Sequence, residues 1–112
     1  MEHLLRKLTE TPGPSGQEEP VRRVILQEIK PCCHRLWEDP LGNVIARTGP
    51  EGGYKIGILA HMDEVGLIVT GISDRGLLGF EVVGTMDARL FLGREVNIMT
   101  KEGRLIRGVI GN

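Results

Sequence analysis

The stretch "YKIGILAHMDEVG", residues 54–66, decides how this chain is read. Its first seven residues are apolar almost throughout. A strand without polar–apolar alternation is buried on both faces, as in the middle of an α/β sheet. The run then meets His61, Asp63 and Glu64 before Gly66 opens another apolar stretch. In open α/β sheets ligands gather outside the carboxyl ends of the strands, which is where this reading puts His61. Side chains alternate along an extended chain, so His61 and Asp63 project to the same side. An imidazole so placed can bind a metal through one nitrogen while Asp63 accepts a hydrogen bond from the other ring N–H, fixing the tautomer. Glu64 points elsewhere, free to bind, bridge or hydrate. The same residues also fit an ordinary imidazole hydrogen-bonded at a strand end beside solvated acids. On this stretch alone both readings stand.

Upstream, Leu4, Leu5 and Leu8 line one face of a helix expected over residues 2–10. "TPGPSG" (11–16) breaks it. Ser15 followed by Glu18 has the spacing of a capping box for a second helix, although Pro20 sits better if that helix starts one or two residues later. Val21, Val24, Ile25 and Ile29 form its buried stripe, and Pro31 stops it. The period then changes to two. "CHRLWE" (33–38) and "NVIART" (43–48) flank the turn "DPLGN" (39–43), and "GPEGG" (49–53) is a further turn before the apolar run. Beyond Gly66, "LIVTGIS" (67–73), "LLGFEVVG" (77–84), "REVNIMT" (94–100) and "RLIRGVIG" (104–111) are short strands joined by "DRG" (74–76), "KEG" (101–103) and similar turns. That spacing suggests a small antiparallel barrel or folded sheet. The expected fold class is therefore α/β over residues 1–66, followed by part of a β-rich, barrel-like module over 67–112.

The totals narrow the function classes. Fourteen basic residues face fifteen acidic ones among 112, for a net charge of −1. This balance gives no basic field for nucleic acid or an anionic membrane surface. The amphipathic, charged "MEHLLRKLTE" (1–10) lacks the apolar core of a signal peptide, and no run is long enough to span a bilayer. The two cysteines, Cys32 and Cys33, are adjacent, a geometry that strains a bridge, and are not spaced as a zinc knuckle. They are expected as free thiols, one inward and one outward at a strand start, which suits a reducing, cytoplasmic setting. The chain stops directly after a strand, and this abruptness suggests a fragment.

Five segments occur together in order: "LTETPGPSGQEEPVR" (8–22), "DPLGNVIA" (39–46), "ILAHMDEVGLIV" (58–69), "GTMDARLFLGREVNI" (84–98) and "GVIG" (108–111). In order and spacing they resemble the N-terminal portion of the glutamyl-aminopeptidase-like metallopeptidases, which include the tetrahedral aminopeptidases. The resemblance covers nearly the whole chain. It implies an aminopeptidase-type α/β catalytic domain and an inserted β-rich domain that serves dimer and higher assembly. It implies a homo-oligomer acting on peptides with two divalent metal ions, zinc or cobalt, in the intact parent. His61 matches a histidine that ligates one of those metals. Asp63 matches the aspartate that orients it and is counted with the catalytic residues. Asp87 and Arg89 match a D-x-R segment of the inserted domain, as interface or turn residues; Asp74, Arg75 and Gly76 are a hairpin turn. Ser15 and Glu18 are best explained as a cap rather than as catalytic groups.

The resemblance also says what is missing. The family completes its site with a bridging aspartate, a glutamate pair, another acid and a second histidine, and none of those motifs is in this sequence. A catalytic zinc needs about three protein ligands and an open position. His61 and Asp63 cannot supply that for two ions, His3 and His34 have no reason to converge on them, and Glu64 lacks anything to fix it as a base. The expectation is that the intact parent is a metallo-aminopeptidase and that residues 1–112 alone are inactive and bind zinc weakly. Two other readings are open to the sequence. One is a non-catalytic interaction module pairing through open strand edges. The other, prompted by the endoglucanase names some relatives carry, is a carbohydrase using the neighbouring acids Glu38–Asp39 or Asp63–Glu64.

Overall fold

A computed structural model describes residues 1–111. Helix α1 spans Glu2–Thr9 and helix α2 spans Glu19–Ile29, followed by a 3-10 turn over Lys30–Cys32. Six strands follow: β1 (Arg35–Glu38), β2 (Val44–Arg47), β3 (Gly66–Ile72), β4 (Leu78–Val83), β5 (Glu95–Met99) and β6 (Leu105–Val109), with a second 3-10 turn over Ala88–Leu90. They pair as three separate two-stranded antiparallel ladders, β1–β2, β3–β4 and β5–β6.

The local chemistry accounts for these elements. Asp39 accepts hydrogen bonds from the backbone N–H groups of Leu41 and Asn43 and from the Asn43 amide, closing the β1–β2 turn. Gly42 supplies the positive φ (+85°) that this turn needs. The β3–β4 turn over 74–76 is closed from Gly76 N–H to Ser73 C=O, and the β5–β6 turn from Gly103 N–H to Thr100 C=O. Lys7 Nζ meets Glu28 Oε1 at 2.8 Å and ties α1 to α2; Arg22 reaches from α2 to Glu38 on β1 at 3.4 Å.

Three expectations need correcting. Residues 54–60 form no strand. Ile56, Ile58 and Leu59 are 91–95% exposed. A strand exists only where neighbouring backbone completes its hydrogen bonds, and no described strand lies alongside this segment. Second, Ser15 and Glu18 make no capping box. The N-cap of α2 is Glu18 itself, with helical dihedrals and no side-chain cap, and Pro20 falls in the first turn of the helix. Ser15 is held elsewhere, and the Glu18 carboxylate accepts from Gly16 N–H at 2.6 Å. Among the described residues β3–β4 and β5–β6 are separate two-stranded ladders. Third, the cysteines do not sit together at the start of a strand. Cys32 and Cys33 are both free; Cys32 lies in the 3-10 turn and not on a strand.

The core is small. Val21 (4% exposed) and Ile110 (8%) are the buried hydrophobic side chains among the described residues. The radius of gyration, 17.9 Å, exceeds the about 13 Å expected of a compact chain of this length. The region that matters for the site is where the "TPGPSG" loop, the start of α2 and residues 61–66 meet.

Candidate metal corner

The loop is seated by backbone contacts. Glu64 N–H donates to Gly13 C=O at 2.9 Å, and Gly13 N–H donates to Glu64 Oε1 at 3.0 Å. Pro14 and Glu64 form a parallel bridge. Glycines allow this close approach. A Cβ on Gly13 would stand 2.6 Å from Val21 Cγ1, and one on Gly66 would stand 2.8 Å from Pro14 Cβ. The Glu64 side chain is thus turned into the loop and is not presented as a free base. This role was missed from the sequence, where only the glycine between two prolines hinted at tight packing.

The seated loop brings Ser15 to the acids. Ser15 Oγ donates to Asp63 Oδ2 across 48 residues of chain. On the other side His61 Nδ1 lies 3.1 Å from Asp63 Oδ1 and 2.9 Å from the Asp63 carbonyl oxygen. Both partners are acceptors, so the ring proton belongs on Nδ1 and the neutral imidazole keeps its lone pair on Nε2. The Asp63 carboxyl is held below the usual carboxylate range, most of all by the Ser15 hydroxyl; partial burial works against this and the His61 ring adds to it. The His61 side chain is 85% exposed, so Nε2 is open to a ligand. Beside it lies a hollow of about 270 Å³ whose lining includes Leu8, Val21, Ile25 and Met62 together with His61 and Glu64.

The other singled-out residues do not join this corner. His34 Nδ1 accepts from Gly49 N–H at 3.1 Å, and the ring lines a separate, wider hollow with Arg35 and Arg47 at the β1–β2 end. His3 sits on α1 near Glu28. Asp87 caps the 3-10 turn at Ala88–Leu90, accepting from Arg89 N–H at 3.0 Å and pairing its carboxylate with the Arg89 guanidinium at 2.6 Å. That pair lowers the Asp87 carboxyl and raises the Arg89 guanidinium. Among the described residues no three His, Cys, Asp or Glu side chains converge as a complete metal cluster.

The family model for the M42 glutamyl aminopeptidases matches residues 42–112. The chain belongs to the M42 glutamyl aminopeptidase family. It is 38% identical over 109 residues to the putative aminopeptidase FrvX of Escherichia coli, covering 97% of this chain and 30% of that protein. Its fold is similar to that of an aminopeptidase from the archaeon Desulfurococcus kamchatkensis, with a TM-score of 0.92 and 43% identity over 97% of this chain and 30% of the other. The Pyrococcus horikoshii TET1 peptidase, which can assemble into a tetrahedron or a large octahedral shell, matches with a TM-score of 0.88 and 46% identity, over 98% of this chain and 32% of that one. The M42 chain thus spans about a third of the length of these relatives. Its mixed helix-and-strand arrangement is similar to the matching part of these aminopeptidases.

Proposed function

We propose that residues 1–112 contribute one corner of a metal-dependent aminopeptidase that removes N-terminal residues from peptides. The observation that carries this reading is the His61–Asp63 pair: Nδ1 is engaged by two acceptors and Nε2 is left open. That donor chemistry fits one imidazole ligand of a divalent metal with a carboxylate behind it. A metal bound there would polarise a peptide carbonyl and lower the pKa of a bound water. His61 is the ligand and Asp63 orients it and strengthens its basicity. One imidazole falls short of the three protein ligands a catalytic zinc needs. The 112-residue chain by itself is therefore inactive and holds zinc, or cobalt in its place, only weakly. The chemistry belongs to a parent with two metal ions.

Residues 1–66 are read as part of the catalytic domain and 67–112 as part of a β-rich dimerisation domain. The β3 strand beginning at Gly66 supports the division. Homo-oligomerisation through the second part is supported by the assemblies of the TET1 peptidase and by the open edges of β3–β6. No helix among the described residues is long and apolar enough to cross a membrane; the balanced charge offers no basic field for a nucleic-acid partner, and the two free cysteines suit a reducing, cytoplasmic setting.

The test is hydrolysis of amino-acid p-nitroanilides, with zinc or cobalt supplied. Residues 1–112 are expected to show no turnover. A full-length protein carrying this N-terminal part is expected to hydrolyse them and to lose that activity with His61→Ala. Robust hydrolysis by the 112-residue chain, abolished by His61→Ala, would overturn the reading that the chain holds only one corner of the site.

A further inference from the structure

Ser15 does not cap α2, whose N-cap position is Glu18 with no side-chain cap and whose first residue is Glu19. Its hydroxyl proton goes instead to Asp63 Oδ2, the carboxylate oxygen that His61 does not use. We propose that Ser15 is a positioning residue for the metal corner: by holding Asp63 Oδ2 it keeps Oδ1 facing His61 Nδ1, so that the ring presents Nε2 to a divalent cation. The inference rests on the reading of His61 as a metal ligand and adds a residue to it.

Two features of the geometry make this more than a surface hydrogen bond. The His61–Asp63 contact is local, between residues two apart on a segment without regular structure, and His61 is 85% exposed. An aspartate has two side-chain torsions, and a contact to one exposed neighbouring ring holds its carboxylate from one side only. Ser15 supplies a second anchor from a distant part of the chain. That anchor is itself fixed, because the loop is clamped by two Gly13–Glu64 hydrogen bonds. Gly13 also packs against Val21, and Pro14 against Gly66. Serine suits the task, since its hydroxyl has one proton to give to a carboxylate that can only accept. The resulting chain runs from Ser15 O–H to the Asp63 carboxylate, which in turn accepts from His61 Nδ1–H.

The test uses the isotopically labelled 112-residue chain. Asp63 Hα–Hβ couplings and the His61 ring nitrogen shifts are measured without metal and then during a zinc titration. The unaltered chain is expected to show one Asp63 rotamer and a proton on Nδ1. Ser15→Ala is expected to average the Asp63 couplings. It should also weaken the zinc response of His61 by about 3- to 10-fold, less than the roughly 10- to 100-fold expected for loss of a direct partner such as Asp63. Ser15→Thr, which keeps the hydroxyl, is expected to restore both. The Glu64 amide shift reports whether the loop is still seated. Unchanged Asp63 couplings and zinc response in a seated Ser15→Ala chain overturn the proposal. If Ser15→Ala unseats the loop, Ser15→Thr decides: restoration supports the positioning role and its absence overturns it. Zinc that leaves His61 of the unaltered chain untouched overturns instead the ligand reading beneath it, a separate failure.

Discussion

Gly13→Ala tests how the loop is held, with a magnitude set by one contact. The new Cβ would lie 2.6 Å from Val21 Cγ1 and 3.1 Å from Val21 Cβ, against an optimum of about 3.5–4.0 Å for carbon pairs. Val21 is 4% exposed, and its Cβ, which no rotamer change can move, would itself stand within 3.1 Å of the new carbon, so the loop has to move away from α2. Overpacking of this kind costs about 1–3 kcal/mol. The movement stretches the Gly13–Glu64 pair, so the Glu64 amide is the local probe. At tenfold per 1.4 kcal/mol, its hydrogen-exchange protection should fall by about 5- to 140-fold. Val21→Ala alone removes two carbons, worth roughly 1.6 kcal/mol at 0.8 per carbon plus a cavity term. It also removes the Cγ1 atom responsible for the clash. The double variant should therefore cost less than the sum of the singles by about 1–2 kcal/mol. The reasoning is refuted if Gly13→Ala leaves Glu64 protection within about twofold of the unaltered chain, or if the two substitutions are additive.

Gly66→Ala drives a Cβ to 2.8 Å from Pro14 Cβ and should lower protection of the same amide through a cost of about 1–3 kcal/mol; an unchanged rate would show that Pro14 is not seated there. Glu64→Ala removes the acceptor of the Gly13 N–H and should cost about 1–3 kcal/mol, with Glu64→Gln retaining most of it, read from exchange of the Gly13 amide. The Asp39 carboxyl is lowered first of all by the Asn43 side chain and then by its backbone N–H. A lowered folded value stabilises the turn above the unfolded value of about 3.9 and loses that support as pH falls through the folded one. The Leu41 and Asn43 amide shifts should therefore move only below the ordinary aspartate range, and Asn43→Ala should raise that midpoint. Paired Ile56→Lys and Ile58→Lys substitutions should reduce binding of a hydrophobic dye, because both side chains are more than 90% exposed; undiminished dye binding would place the accessible apolar surface elsewhere.

Much of this protein is written locally in its sequence. The two helices and the turns follow from short-range rules: the 3.6 period of Val21, Val24, Ile25 and Ile29, the Asp39 side chain folding onto its own turn, and Gly76 and Gly103 at positive φ. The His61–Asp63 contact was legible for the same reason, since two residues apart on an extended segment share a side. Residues 54–60 show the limit. Their apolarity states a demand for burial, but a strand is made by its neighbours, and no described strand pairs with it. Ser15 shows a second limit. Its spacing to Glu18 satisfies the capping pattern, yet the loop that carries it is pulled onto Glu64 and Gly66, and the hydroxyl meets Asp63 instead. The sequence alone determined what local geometry and periodicity dictate, including the histidine and its carboxylate. Only the tertiary structure decided what holds that carboxylate, because a contact across 48 residues depends on backbone packing that no local pattern encodes.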